Sequence, residues 1–295
     1  MERREFLTKS VVAGLGSAAG ASLAQGQEWS TAKRPDENDV QYRARLARIR
    51  AAQAAARARA TRAGGRHYFE LRTYEIASEE QKAGFDRFAK EAFIPALNRL
   101  GIGKVGVFYP HEGLSPIHVL IPHPSVDSFA TLTEQLLDDA EFLVKGSEFL
   151  NAPRDNPAYT NLEISLHKAF DAMRMLETPI DVPGRIFQLR IYESPSVKTN
   201  QKKIEMFNGA EIDIFRRTGL HPVFFGETLA GTKMPNLTYM LVFRDMDERK
   251  ANWQKFGGDP EWKELRSKPE YGDKVILRDQ GITNLYLRPA EYSQI

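Results

Sequence analysis

Two arginines and two tyrosines stand out by type and spacing. Arg72 and Tyr74 lie in Phe69-Glu70-Leu71-Arg72-Thr73-Tyr74-Glu75. Arg190 and Tyr192 lie in Phe187-Gln188-Leu189-Arg190-Ile191-Tyr192-Glu193, 118 residues later, with five of seven positions identical. A guanidinium grips a carboxylate or phosphate through paired N–H groups, and a phenol adds a further donor. This set, used twice, could hold a small anionic ligand, with Glu70 and Gln188 beside it. The competing reading is an internal network in which Glu70, Glu75 or Glu193 neutralises the arginines and pins two parts of the molecule together. The residues alone leave both open.

Other chemistry is thinly supported. His118 sits in an apolar run and His167 ends one, on its polar face; His111, His123 and His221 lie beside prolines in expected loops. No HxxxH, HExxH or His–carboxylate spacing suggests a metal, and none is expected. There is no cysteine, which excludes disulfides, thiolate catalysis and Cys-ligated metals. Gly-x-Ser-x-Gly, P-loop and Gly-x-Gly-x-x-Gly patterns are absent, so no catalytic residue is assigned. Trp253 and Trp262 fit the buried stripe of a helix better than a binding platform.

The charge is uneven. Met1–Arg66 carries 13 basic and 6 acidic residues, whereas His67–Ile295 carries 28 basic and 33 acidic ones. The basic balance therefore belongs to the leader, and the mildly acidic remainder is not a nucleic-acid binder. Arg3, Arg4, Phe6 and Leu7 form the core of a twin-arginine signal, followed by a soft apolar run and small residues before a cleavage point after Ala24. That run is too short and glycine-rich for a stable membrane span. Residues 1–24 thus read as a signal peptide that engages the twin-arginine export machinery and directs a bacterial protein to the periplasm. Residues 25–66 read as a polar linker with an Ala/Arg-rich helix over 40–62, ended by Gly64-Gly65. It serves as a solvated spacer or as a basic helix on lipid or a partner.

The positioning elements follow from periodicity. In residues 67–170 the pattern predicts strand 68–74, helix 79–100 closed by Gly101, strands 104–109 and 117–121, helices from Ser125 or Asp127 and from 139 to 150, and strand 162–166. In residues 185–295 it predicts strand 186–192, helix 199–217 closed by Gly219, strands 223–225 and 237–243, helices from Asp245 or Asp247 and from Asp259, and closing strands 275–277 and 282–287. Residues 169–184 are a linker. The order is β-α-β-β-α-β twice.

That order is the split βαβ, ferredoxin-like unit. Its helices cover one face of the sheet, and the other face needs a cover. Two units packed sheet-to-sheet would close an intrachain α+β barrel. Alternation should set Phe69, Leu71 and Thr73, with Phe187, Leu189 and Ile191, against the helices. It should send Glu70, Arg72, Tyr74, Gln188, Arg190 and Tyr192 into the barrel.

On the two strand motifs, the Gly101 and Gly219 turns and the Trp/Phe-rich second helices, the chain resembles the NIPSNAP family of the dimeric α+β barrel superfamily, from about His67 to Tyr292. The resemblance implies the ferredoxin-like barrel and no particular reaction. Some barrel relatives are haem peroxidases, but their Gly-x-x-Asp-Gly signature is missing here, and Gly257-Gly258-Asp259-Pro260 reads as a helix cap; haem and other cofactors are not expected. Two functional classes follow. One is a small-molecule site in the barrel, for binding alone or for a cofactor-free oxygenase or isomerase. The other is a protein-interaction module with a filled barrel. Oligomeric state is not encoded in these patterns.

Overall fold

The computed structural model describes residues 36–42, 44–45 and 65–295. The expected signal, its cleavage point and most of the 40–62 helix lie outside the described residues. Residues 1–62 and 63–295 are separate units. In the first, the residues described from Asp39 to Arg45 are helical, and Arg45 is ion-paired with Glu37 at 2.8 Å.

In the second unit the order β-α-β-β-α-β occurs twice. The strands are β1 (Tyr68–Glu75), β2 (Gly106–Pro110), β3 (Ile117–His123), β4 (Asn161–Ala169), β5 (Ile186–Glu193), β6 (His221–Ala230), β7 (Asn236–Phe243) and β8 (Ile282–Pro289). They close into one barrel in the order β1-β3-β2-β8-β5-β7-β6-β4, antiparallel throughout. Each half supplies four adjacent strands. The halves join at two seams, Phe108 opposite Pro289 between β2 and β8, and Ala169 opposite Gly226 between β4 and β6. The sheets face each other across the lumen, and the helices lie outside.

Helix starts follow the sequence. Ser78, Ser125, Asp139, Ser196, Asp245 and Asp259 each accept a backbone N–H of the first turn, satisfying donors that the helix itself cannot. Gly101 and Gly219 end the long helices in the left-handed region, at φ 78° and 84°. Each long helix is interrupted by a π turn at the same place in the repeat, Ala89–Phe93 and Phe207–Glu211.

One expected element is absent. The run around Val275 is not a strand; Asp273–Ile276 is a helical turn whose Ile276 is fully buried with the second half's helix core. The closed barrel has no free edge for a further strand to join.

The faces are the reverse of those expected. Phe69, Leu71, Phe187 and Leu189 pack together with Phe108, Leu120, Phe224, Met240 and Leu287 in a cluster drawn from both halves, which is the lumen. The Phe108 and Phe187 rings lie 4.7 Å apart, and Phe69 and Phe224 lie 4.8 Å apart, each pair bridging the halves. Tyr74 instead packs with Phe85 at 5.0 Å, and Tyr192 with Phe207 at 6.3 Å, beneath the helices. An eight-stranded barrel is just wide enough for side chains to fill, and Phe69, Phe108, Phe187 and Phe224 supply that filling. The helices carry hydroxyl, indole and guanidinium groups that can pair with polar strand residues.

Candidate functional site

Glu70, Arg72, Tyr74, Gln188, Arg190 and Tyr192 therefore lie between sheet and helices, three in each half, and the structure does not bring the two sets together. In the first half the charges neutralise each other. Glu70 is almost fully buried and accepts from Arg72 Nε at 2.6 Å and His123 Nε2 at 2.9 Å. Burial pushes the Glu70 carboxyl up, but the His123 hydrogen bond and the Arg72 charge more than offset this and hold it below its usual value. The Arg72 guanidinium also lies over the Phe93 ring at 4.9 Å. His123, expected in a loop, ends β3 fully buried, and its Nδ1 pairs with the Ser128 hydroxyl at 3.0 Å.

The second half is built differently. Gln188 replaces Glu70, and its Oε1 accepts from Trp253 Nε1 at 2.8 Å and Arg249 Nε at 3.1 Å, while its Nε2 donates to Asn284 at 2.6 Å. Arg190 has no carboxylate within ion-pair distance among the described residues. Its guanidinium lies over Trp253 at 4.8 Å and Tyr192 at 5.2 Å, and its Nε is buried without a hydrogen-bond partner there. The π turn adds charge. Lys203 and Glu211, both 3% exposed, are ion-paired at 2.9 Å. At the 118-residue offset they stand where the first half has Phe85 and Phe93. Burial raises the Glu211 carboxyl, and Lys203 only partly offsets it. Burial, then repulsion from Arg190, lowers the Arg249 guanidinium, with Tyr286 acting in the opposite sense. Glu211 thus lies in the field of two cations, its ion-pair partner Lys203 and, more weakly, Arg190.

The lumen holds the other polar cluster. His167 pairs through Nδ1 with Thr228 Oγ1 at 2.9 Å and through Nε2 with Ser165 Oγ at 2.8 Å, and the Thr228 hydroxyl donates to Asn236. Burial lowers His167 to about 3 and His118 to about 4. His118 Nδ1 pairs with Thr73 Oγ1 at 3.1 Å. His111 lies in the turn after β2, and His221 opens β6.

Sequence reasoning placed Trp253 in the core and did not single out Lys203, Glu211 or Arg249. The usable signal was the repeat itself. Charged residues at 203 and 211 opposite phenylalanines at 85 and 93 mark a difference that packing alone does not require.

Among the described residues no helix is long and apolar enough to cross a membrane, and no group of three His, Asp or Glu could hold a metal ion. No curated protein matches the sequence significantly. A candidate monooxygenase from Lactobacillus acidophilus superposes with a TM-score of 0.51 at 8% identity, over 76% of this chain and 94% of its own. Another from Fusobacterium nucleatum gives 0.50 at 8% identity, over 76% and 93%. At such identity the likeness shows the fold alone. An uncharacterised NIPSNAP-like domain protein from Burkholderia xenovorans is 20% identical over 37% of this chain and 89% of its own, with a TM-score of 0.33. The sequence model of the NIPSNAP family matches residues 187–294. The half of the barrel that carries Arg190, Lys203 and Glu211 is therefore a NIPSNAP domain.

Proposed function

We propose that this protein binds a small anionic molecule between the sheet and the helices of its NIPSNAP domain, with Arg190 as the anchoring cation. The observation that carries this reading is Arg190 itself, a half-buried guanidinium with no carboxylate partner among the described residues and an unpartnered, buried Nε. Glu211 acts on Arg190 only at a distance and is itself ion-paired with Lys203, so the half-buried guanidinium keeps part of its desolvation cost, which a bound anion would offset. Tyr192 flanks the guanidinium, and Gln188 holds Arg249 and Trp253 in place around it. Arg72 and Glu70 serve the first half as an internal pair, so Arg72, Tyr74 and Glu70 take no ligand in this reading.

The test is a thermal-shift and calorimetric titration of the full-length chain with phosphate, acetate, benzoate and citrate. At a hundredfold excess over its dissociation constant, a bound anion adds about 2.7 kcal/mol of stability. At least one anion is expected to bind, Arg190→Gln to abolish the response, and Arg72→Gln to retain it. An equal response in the Arg190→Gln protein, or none from any anion, sinks the proposal. The tightly packed inner half of the lumen favours a second reading, a protein-interaction module; pull-downs with the Arg190→Gln protein recovering the same partner as wild type would support it.

The export route belongs to the same proposal. Fused to a reporter, residues 1–24 should deliver it to the periplasm, and replacing Arg3 and Arg4 by lysine should leave it in the cytoplasm.

A further inference from the structure

The barrel is filled at one end only. Phe69, Phe108, Phe187, Leu120 and Met240 face inward with at most 1% exposure. Leu176 and Ile180 of the linker and the terminal Ile295 pack onto that end and seal it. Further along the same inward faces, Thr73, Ile191, Thr283 and Leu285 are each partly exposed. These positions hold inward register, since Thr73 pairs with His118, and Ile191 pairs with both Thr238 and Thr283. A side chain that faces a lumen is wetted only where that lumen opens to solvent. The barrel is thus a cup with an apolar floor and an open polar mouth.

The polar groups of the cup are almost all satisfied. His167, Ser165, Thr228 and Asn236 bond to one another, and Thr238 Oγ1 donates to Asn236 Oδ1 at 3.4 Å. His118 is the exception. It is 4% exposed, its Nδ1 is taken by Thr73, and its Nε2 has no partner among the described residues. A buried polar atom left unpaired keeps the cost of its lost hydration.

We propose that the open half of the lumen binds a small uncharged molecule bearing a hydroxyl group, which pairs with His118 Nε2. A hydroxyl both donates and accepts, so it satisfies either tautomer of the ring. Charge is disfavoured on both signs. A buried ion in an apolar-floored cup would lack a counter-charge, and at the mouth Glu193 is already matched by Lys233 at 4.0 Å and Arg278 at 3.8 Å. This site is separate from Arg190, which lies on the opposite face of β5, so either can fail alone.

The test uses the full-length chain labelled with 15N-histidine and titrated with 1-propanol, 1,2-propanediol and phenol, with acetate as the charged control. At least one hydroxyl probe should shift the His118 Nε2 resonance saturably while His123 stays still. Thr73→Trp, which fills the mouth without removing His118, should weaken binding by about tenfold or more, the equivalent of about 1.4 kcal/mol. His118→Phe should abolish binding. No saturable shift with any probe means that an ordered water alone completes His118 and overturns the proposal, as does an unchanged affinity in the Thr73→Trp protein.

Discussion

Gln188 and Glu70 occupy equivalent strand positions, and the difference between an amide and a carboxylate decides the electrostatics of each half. Glu70 gives Arg72 a counter-charge; Gln188 gives Arg190 none. Restoring the carboxylate with Gln188→Glu should therefore quench the anion response at Arg190 by an order of magnitude or more, about 1.4 kcal/mol per factor of ten, as read by calorimetry. Removing Arg72 should act on stability instead. Arg72→Gln leaves a buried carboxylate with His123 alone, and a loss of about 3–5 kcal/mol in denaturant unfolding is expected. The lumen histidines give a pH dependence. Both are depressed by burial from an ordinary 6.5, to about 4 for His118 and about 3 for His167. Between those values and 6.5 the unfolded chain binds protons that the folded chain does not, so folding is most favoured above 6.5 and weakens as pH falls through the window. Each histidine contributes at most about 1.4 kcal/mol per pH unit. Urea midpoints at pH 7, 6 and 5 should fall in step, with a shallower fall in His167→Asn.

At the level of elements, the two long helices end on glycines that look alike in sequence and differ in surroundings. A Cβ on Gly219 would meet the Asn252 side chain at 2.8 Å, whereas one on Gly101 meets nothing within 4 Å. Both substitutions strain a left-handed backbone, so Gly101→Ala should cost about 1 kcal/mol, and Gly219→Ala should cost more, up to about 3 kcal/mol. Paired thermal melts decide this. Strand and helix order, the helix starts at Ser125, Asp139, Asp245 and Asp259 and these glycine ends were legible because they rest on local rules of periodicity and capping; the caps Ser78 and Ser196 were not singled out. The π turns were not legible, since a single widened turn inside a helix leaves no mark in a 3.6-residue pattern. Nor was the inward face of β1 and β5. Alternation separates Phe69 and Leu71 from Arg72 and Tyr74, but it does not say which set meets the helices. That choice depended on His123 Nε2 for Glu70 and on Arg249 and Trp253 Nε1 for Gln188, partners 53, 61 and 65 residues away. The run at Val275 misled because β-branched residues signal a strand only where a sheet edge is available.

At the scale of the molecule, the two seams make one barrel from two halves that cannot stand apart. Residues 185–295 alone would expose Phe187, Leu189, Met240, Val242 and Leu287, all buried in the lumen cluster. That fragment is expected to associate with a second copy of itself, with a melting temperature that rises with concentration, while that of the full chain does not. Native mass spectrometry and melts across a hundredfold concentration range would show this, and a stable monomeric fragment would refute it.

Joining the halves in one polypeptide also changes what can be inherited. A barrel made of two identical chains carries every substitution twice, so a residue that helps one sheet is imposed on the other. Here Glu70 and Gln188, or Phe93 and Glu211, could diverge one at a time. The first half is free to specialise as the rigid partner, and the second to hold a cation with no ion-paired carboxylate among the described residues, which a symmetric two-chain barrel would have to tolerate in duplicate.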